Sequence, residues 1–506
     1  MEKTRFSPRP GQIERVHSIN LSTRLRAVAR QYSAKTAVMS GDRLLSYGEL
    51  DLAAMNLARW FLVQGLVQGD RVAIQGTNTA DVVVALLACF HAGLVAVPVN
   101  TRFKPPEVQY VMDHSRPRLY LCEPQFAASL KEIQTQIPGL SAIYTELPAG
   151  ASGPDPETPP ADSPVLILYT SGTTARPKGV THTLRTQLAS AETMLGVGFG
   201  PSTVTAVAVP MMHAAGLNGL LLPTLISGGS VALLPTFDAA ALLDLVESRR
   251  CTIAFALPAG MQFVAAEQER RPRDLSSVNV WLAGGDTVPV SLQERWKNLT
   301  GSLILEGYGM SESLIITFNP PSDKRPGSLG VPATKVDLRA LDFEGIPVAD
   351  GEIGELAVRS PANFVGYWND PEATKRTVVD GWLRTGDLGR RDGDGYFWFE
   401  GRKKELIIRG GSNISPQEVE GALVQHPAVM EAGVVGAPDA VYGERVVAFV
   451  ALREGRAVAE TELREFTRQR LADYKVPELI FFLPVLPKGP TGKVQRRVLR
   501  DLARKG

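Results

Sequence analysis

Cysteine is scarce in this 506-residue chain: there are three, Cys89, Cys122 and Cys251, and no two share a C-x-x-C spacing. That argues against a disulfide framework and a zinc site, and it fits a reducing, cytoplasmic compartment. Excess positive charge is also missing, since 54 Lys and Arg stand against 53 Asp and Glu. Without a basic field, nucleic acid is not an expected partner. The first ten residues hold no apolar run of the kind that opens a secretory signal. The longest apolar stretch, residues 82–99, is interrupted by His91 and Gly93 and ends in the strand-like Ala96-Val97-Pro98-Val99. It reads as a buried helix followed by a strand, so no integral membrane association is expected. Internal repeats are absent, and the one biased tract is residues 147–164, rich in Pro, Gly, Ala and Asp.

What is present is an ordinary globular balance, 44% hydrophobic and 21% charged residues, in a chain too long for a single core. Strand-like runs such as 71–74 and 230–234 alternate with helical patterns such as 238–248, which predicts parallel sheets covered by helices. Two such sheet regions fit before residue 320, with 147–164 as a surface connection between them. Past Pro320 the runs shorten (354–358, 395–399) and predict a small β-rich subdomain. From Gly401 onward, strands at 432–435 and 446–451 mix with helices at 417–424 and 460–471, a terminal unit of about 100 residues, a usual domain size. The expected fold class is α/β: two parallel-type sheet subdomains and a β-rich subdomain, then a small α+β C-terminal domain.

The densest chemistry lies in Tyr169-Thr170-Ser171-Gly172-Thr173-Thr174-Ala175-Arg176-Pro177-Lys178-Gly179-Val180, directly after the apolar run 165–168. Glycines let backbone N–H groups crowd an anion, hydroxyls add short donors, and Lys178 supplies a cation. The segment suits a polyphosphate. It is not a Walker A loop, because Gly179 follows Lys178 where that motif has Ser or Thr, and the glycine spacing differs.

This loop resembles the signature of the adenylate-forming superfamily, which includes acyl-CoA synthetases, luciferases and peptide-synthetase adenylation domains. Four later strings agree in the family's order: Tyr308-Gly309-Met310-Ser311-Glu312, Gly381-Trp382-Leu383-Arg384-Thr385-Gly386-Asp387, Gly401-Arg402-Lys403-Lys404-Glu405, and Pro487-Lys488-Gly489-Pro490-Thr491-Gly492-Lys493. Together they span nearly the whole chain. Two positions depart from the family's habit, Ala175 for Gly or Ser and Ser311 for Thr. Both keep the volume or the hydroxyl, so activity is expected to survive.

The resemblance implies an enzyme, an AMP-forming acid–thiol ligase using ATP, Mg2+ and CoA. A carboxylate attacks the α-phosphorus of ATP, so donors and cations must gather there. By resemblance, ATP is held by Thr170, Ser171, Gly172, Thr173, Thr174 and Lys178, by Gly284, Gly285 and Asp286, and by the run Glu306, Gly307, Tyr308, Gly309, Met310, Ser311 and Glu312. Asp387, Phe399, Arg402 and Lys493 complete the expected ATP set, with Asp387 and Arg402 assigned to the ribose. Glu312 is the natural Mg2+ ligand, since a hard cation shared with phosphate needs one or two carboxylates. The cluster Arg402-Lys403-Lys404 alone would read as a solvated charge run. Resemblance instead makes Lys404 a hinge between domains 1–402 and 403–506, the second of them mobile and bearing the catalytic Lys493. CoA is assigned to Gly410, Gly411, Tyr442, Tyr474 and Lys475. Homodimerisation and acylation of Lys493 stay open.

The acyl pocket is expected along Pro210-Met211-Met212-His213-Ala214-Ala215-Gly216-Leu217, with His213 at the carboxylate entrance. Amino-acid-activating relatives carry an aspartate where this chain has Ala214, so an ammonium would be buried without a counter-charge. Ala214, Ala215, Phe255, Ala283, Gly307, Gly309, Leu314 and Ile315 predict a roomy apolar cavity for a medium-chain aliphatic, alicyclic or aryl acid. The chief alternatives are an acyl-AMP ligase that loads a carrier protein and a catalytically silent nucleotide-binding protein. The sequence ends at Gly506 with no carrier domain, which leans toward CoA; Lys178, Glu312, Asp387 and Lys493 weigh against silence. Luciferase-like oxygenation demands a special substrate and ranks last.

Overall fold

The computed structural model describes residues 19–127, 140–148, 151–170, 177–320, 322–410, 412–488 and 494–504. The chain divides into two compact units, Met1–Asp337 with Val358–Leu383, and Leu338–Ala357 with Arg384–Gly506.

The first unit is built on two mixed sheets with parallel centres. In the nine-stranded sheet six neighbouring strands are parallel: Leu305–Met310, Val280–Gly284, Ile253–Phe255, Val204–Val207, Ser230–Leu233 and Thr36–Ser40. Antiparallel strands Ser313–Phe318 and Val331–Pro332 close one edge, and Arg43–Ser46 closes the other. The seven-stranded sheet sets Arg71–Gln75 between Val95–Pro98 and Leu119–Cys122. It adds Pro164–Thr170 beside the first of these and then Lys178–Thr183 and Gly366–Tyr367 at that edge. Strands buried on both faces must be apolar throughout, which is why Val95–Pro98 and Leu119–Cys122 show no alternation.

The apolar stretch forms helix Ala80–Ala92 and strand Val95–Pro98. Every residue of the helix except Asp81 is buried, and Gly93 ends it in the left-handed conformation. Its buried histidine, His91, meets Ser22 Oγ at 2.8 Å from Nδ1. Among the described residues no helix is long and apolar enough to cross a membrane. The three cysteines are buried and free.

Two expectations need correcting. Residues 147–164 do not connect one sheet to the other, because the strands on either side, Ala142–Tyr144 and Pro164–Thr170, belong to the same seven-stranded sheet. The nine-stranded sheet instead takes strands from both before and after it. Composition marked that segment as surface but could not say which strands it joins. The helix expected over 460–471 stops at Arg468, where the amides of Arg470 and Leu471 both turn back to the Thr467 carbonyl.

In the second unit, residues 338–341, 354–357 and 384–391 form a small sheet with Phe397–Arg402. A further sheet joins Ser412–Ile414, Ile407–Arg409, Gly443–Leu452 and Val429–Asp439, with Leu479–Phe482 parallel to Gly443–Leu452. Helix Pro416–Val424 covers it, burying Val419 and Leu423 in a core with Val434 and Val446.

Candidate active site

The hairpin Leu305–Met310 and Ser313–Phe318 organises the site. Pairing Gly307 with Phe318 and Met310 with Ser313 puts Ser311 and Glu312 at its turn. Side chains alternate across a strand, so Leu305, Gly307 and Gly309 present one face while Glu306 and Tyr308 lie on the other. The first face looks into a cavity of about 210 Å3, which all the expected pocket residues line: His213, Ala214, Ala215, Phe255, Ala283, Gly307, Gly309, Leu314 and Ile315. Gly284, Gly285, Met310 and Ser311 line it too. None of its lining residues carries a formal charge.

Two close approaches shape this space. A Cβ on Gly216 would lie 2.5 Å from the Pro210 carbonyl oxygen, and one on Gly284 would lie 2.6 Å from that of Gly307. Only glycine lets the backbone turn at 216 and the strands run together at 284. At Gly307, in contrast, a Cβ would sit in ordinary van der Waals contact, 3.5 Å from the Thr317 carbonyl oxygen and 3.6 Å from Ile315, so a side chain can begin there on the cavity wall that Gly307 lines. His213 N-caps the short helix Ala214–Gly216, and its Nε2 lies 3.4 Å from Asn100 Nδ2. Burial, with a smaller push from the Arg102 charge, lowers the His213 pKa and keeps the ring neutral.

Glu306 uses its side chain elsewhere. Its Oε1 accepts from Gln293 Nε2 at 2.8 Å and from the Gly327 amide at 3.1 Å, while burial raises its pKa. Asp286 follows the left-handed Gly285, is exposed, and accepts the Thr287 amide at 3.0 Å.

At the hairpin turn the chemistry changes. Glu312 is buried, its carbonyl accepts the Phe364 amide at 2.7 Å, and its Oε1 accepts the Tyr367 hydroxyl at 2.7 Å. Burial and then the Glu312 charge hold the Tyr367 phenol well above its usual range, so it remains a donor. Lys178, paired with Thr170 across the base of the segment between their two strands, places Nζ 4.4 Å from the centre of the Tyr367 ring. The Ser311 carbonyl accepts from His182 Nε2 at 2.7 Å, and burial pushes the pKa of His182 down to about 4. Ser171, Gly172, Thr173 and Thr174 of the loop lie outside the described residues, as do Gly411 and Lys493.

The second unit carries the other candidates. Asp387 pairs with Arg402 across antiparallel strands, and Asp387 Oδ1 is 3.4 Å from Arg402 Nε. Phe399 pairs with Gly389 on the same strands. Lys404 is exposed in a short 3-10 turn, Lys403–Glu405, directly after Arg402. Two of the candidates assigned to CoA, Tyr442 and Tyr474, contact Arg409, a residue that carried no sequence signal. Its guanidinium lies 4.6 Å from the Tyr442 ring centre, its Nη1 donates to the Tyr474 carbonyl, and the Gly410 amide donates to the Tyr442 carbonyl. Lys475 is bound to Glu418 at 2.6 Å.

Tyr367, His182 and Asn100 were also missed. Each acts through a partner at least 55 positions away, and no local spacing signals such a contact. The one cue was the Gly366-Tyr367-Trp368 string, apolar and aromatic but unassigned.

These features define an adenylate-forming enzyme, and comparison agrees. The family profile for AMP-binding enzymes matches residues 25–368, and that for the AMP-binding enzyme C-terminal domain matches 418–493. The chain belongs to the AMP-binding enzyme family, in its acyl-CoA ligase group. It is 37% identical over 493 residues to a feruloyl-CoA synthase of an Amycolatopsis species, covering 93% of this chain and 96% of the relative. It is 34% identical over 496 residues to a sulfoacetate–CoA ligase of Cupriavidus necator, with 94% and 96% covered. A solved structure of the anthranilate CoA ligase AuaEII with anthranoyl-AMP superposes with a TM-score of 0.86 at 30% identity, covering 97% and 98%.

Proposed function

We propose that this chain is an ATP-dependent acid–CoA ligase for hydrophobic carboxylates, of aryl, alicyclic or medium-chain aliphatic type. A carboxylate oxygen bonds to the α-phosphorus of ATP as pyrophosphate leaves; the CoA thiol then takes the acyl group and releases AMP. The observation that carries the substrate reading is the uncharged lining of the cavity, with His213 neutral at its edge. A sulfonate, a second carboxylate or an ammonium would be desolvated there with no counter-charge. That favours acids of the feruloyl and anthranoyl kind over sulfoacetate, although relatives acting on each are about equally similar.

In this reading Lys178 and the loop 170–174 hold the β- and γ-phosphates, and Asp387 with Arg402 holds the ribose. Lys493 bridges carboxylate and α-phosphate, which concentrates positive charge where it develops. Glu312 suits Mg2+: it is a buried carboxylate oriented by the Tyr367 hydroxyl, and a hard cation shared with phosphate oxygens needs only one or two protein carboxylates. When bound, that ion neutralises phosphate charge. Residues 1–402 and 403–506 act as two domains about Lys404. Gly410, Gly411, Tyr442, Tyr474 and Lys475 serve the thiol step, and the compartment is cytoplasmic.

Mass spectrometry of single-turnover mixtures tests this. Acid and ATP alone should give acyl-AMP and pyrophosphate, and added CoA should convert the adenylate to acyl-CoA and AMP. ADP and phosphate as products, or an adenylate inert to CoA, would contradict it.

A further inference from the structure

Glu312 and Lys178 stand on different sheets, and one short segment ties both down. Residues 364–368 run along the strand that Lys178 begins: the Val365 amide donates to the Thr181 carbonyl at 3.0 Å and the Trp368 amide to that of Gly179 at 2.7 Å. The same segment reaches the hairpin turn through the Phe364 amide on the Glu312 carbonyl. Tyr367 completes the link with its side chain. Its hydroxyl donates to Glu312 Oε1 at 2.7 Å, and its ring face carries Lys178 Nζ at 4.4 Å. The ring is braced by an edge contact from Phe364 at 4.9 Å between centres, and the backbone beneath it by the Tyr367 amide, which donates to the Thr374 hydroxyl at 2.9 Å. A side chain with so little freedom fixes whatever it touches.

We propose that Tyr367 is a positioning residue that sets the Glu312 carboxylate and the Lys178 ammonium at a fixed separation, so that one MgATP polyphosphate meets both. A hydrogen bond from a neutral phenol to a carboxylate fixes the plane of the carboxyl group and so the direction in which it meets a cation. An ammonium over an aromatic face is held without being neutralised, so it keeps its charge for phosphate. The two contacts are separable because one uses the hydroxyl and the other the ring. This proposal rests on the roles given above to Glu312 and Lys178.

Equilibrium binding of ATP to the full chain, measured by calorimetry across a Mg2+ titration and in EDTA, separates the contributions. Tyr367→Phe keeps the ring and loses the hydroxyl, so the Mg2+ midpoint should rise about tenfold, the usual cost of losing a group that orients a metal ligand, while Mg2+-free ATP binding stays unchanged. Tyr367→Leu should raise the midpoint and also weaken Mg2+-free binding. A purely structural role would lower the unfolding midpoint without moving the Mg2+ dependence, and that result in Tyr367→Phe would overturn the proposal. Glu312→Gln is the control: no change in its Mg2+ midpoint refutes the metal role of Glu312 itself. A shift in Glu312→Gln without one in Tyr367→Phe refutes only the positioning role of Tyr367.

Discussion

The strands of the Leu305–Phe318 hairpin and its turn do opposite work within one supersecondary unit. Along the strands, Gly307, Gly309, Leu314 and Ile315 shape an uncharged cavity by leaving space. At the turn, Ser311 and Glu312 are held from three directions by His182, Phe364 and Tyr367. The cavity wall is defined by volume, and a change of size there breaks no hydrogen bond. The turn is defined by donors and acceptors, and a change there leaves a buried partner unmet. A family can thus vary its acid while keeping its adenylation chemistry, as feruloyl-CoA synthase and sulfoacetate–CoA ligase relatives at 37% and 34% identity illustrate.

The largest effect should come from the turn. Glu312→Gln is expected to lower kcat/KM for adenylation by about 10²-fold or more, the scale of removing one preorganised electrostatic group, and by the same factor for every acid. Steady-state pyrophosphate release over several acids checks this. A factor that depended on the acid would break the division between turn and wall.

A smaller effect should come from the wall. Gly307→Leu is expected to exclude bulky acids and spare short ones, shifting selectivity roughly tenfold per one or two carbons. The Cβ itself fits, since its nearest neighbours are 3.5 Å or more away, so the added methyls occupy cavity and not backbone. Chain-length profiles of wild type and mutant measure it, and an unchanged profile would place residue 307 outside the acyl path.

The smallest effect concerns stability. His182 under the turn and His91 in the helix Ala80–Ala92 are buried, with pKa values pushed down to about 4 and about 3. The unfolded chain takes up these protons near pH ~6.5. As pH falls from there toward 4, unfolded chains bind protons that folded ones refuse, so stability should drop by up to about 1.4 kcal/mol per pH unit for each ring. Urea midpoints at pH 7 and pH 5 test this, and a midpoint unchanged between them would contradict it.

The cavity was legible in the sequence because it is made of absences, Ala214, Ala283, Gly307 and Gly309, which announce space wherever they fall. The helix Ala80–Ala92 was legible because nearly every residue is apolar. The turn was only half legible. Glu312 stood in a recognisable string, but the supports of the turn, His182 on Ser311 and Phe364 and Tyr367 on Glu312, are brought close by sheet pairing that local patterns do not encode. Strand alternation also separated Glu306 from the cavity, although it sits beside Gly307 in sequence. For the same reason the tract 147–164 was read correctly as surface but assigned to the wrong junction.

The most direct measurement compares kcat/KM for CoA-dependent AMP formation on paired acids of similar size, one apolar and one carrying a second charge, such as cinnamate against phenylalanine and hexanoate against glutarate. Burying an unpaired charge costs several kcal/mol, so the apolar acid should be preferred by at least ~10²-fold. Equal or better turnover of a charged acid would contradict the claim that an uncharged cavity selects a hydrophobic carboxylate.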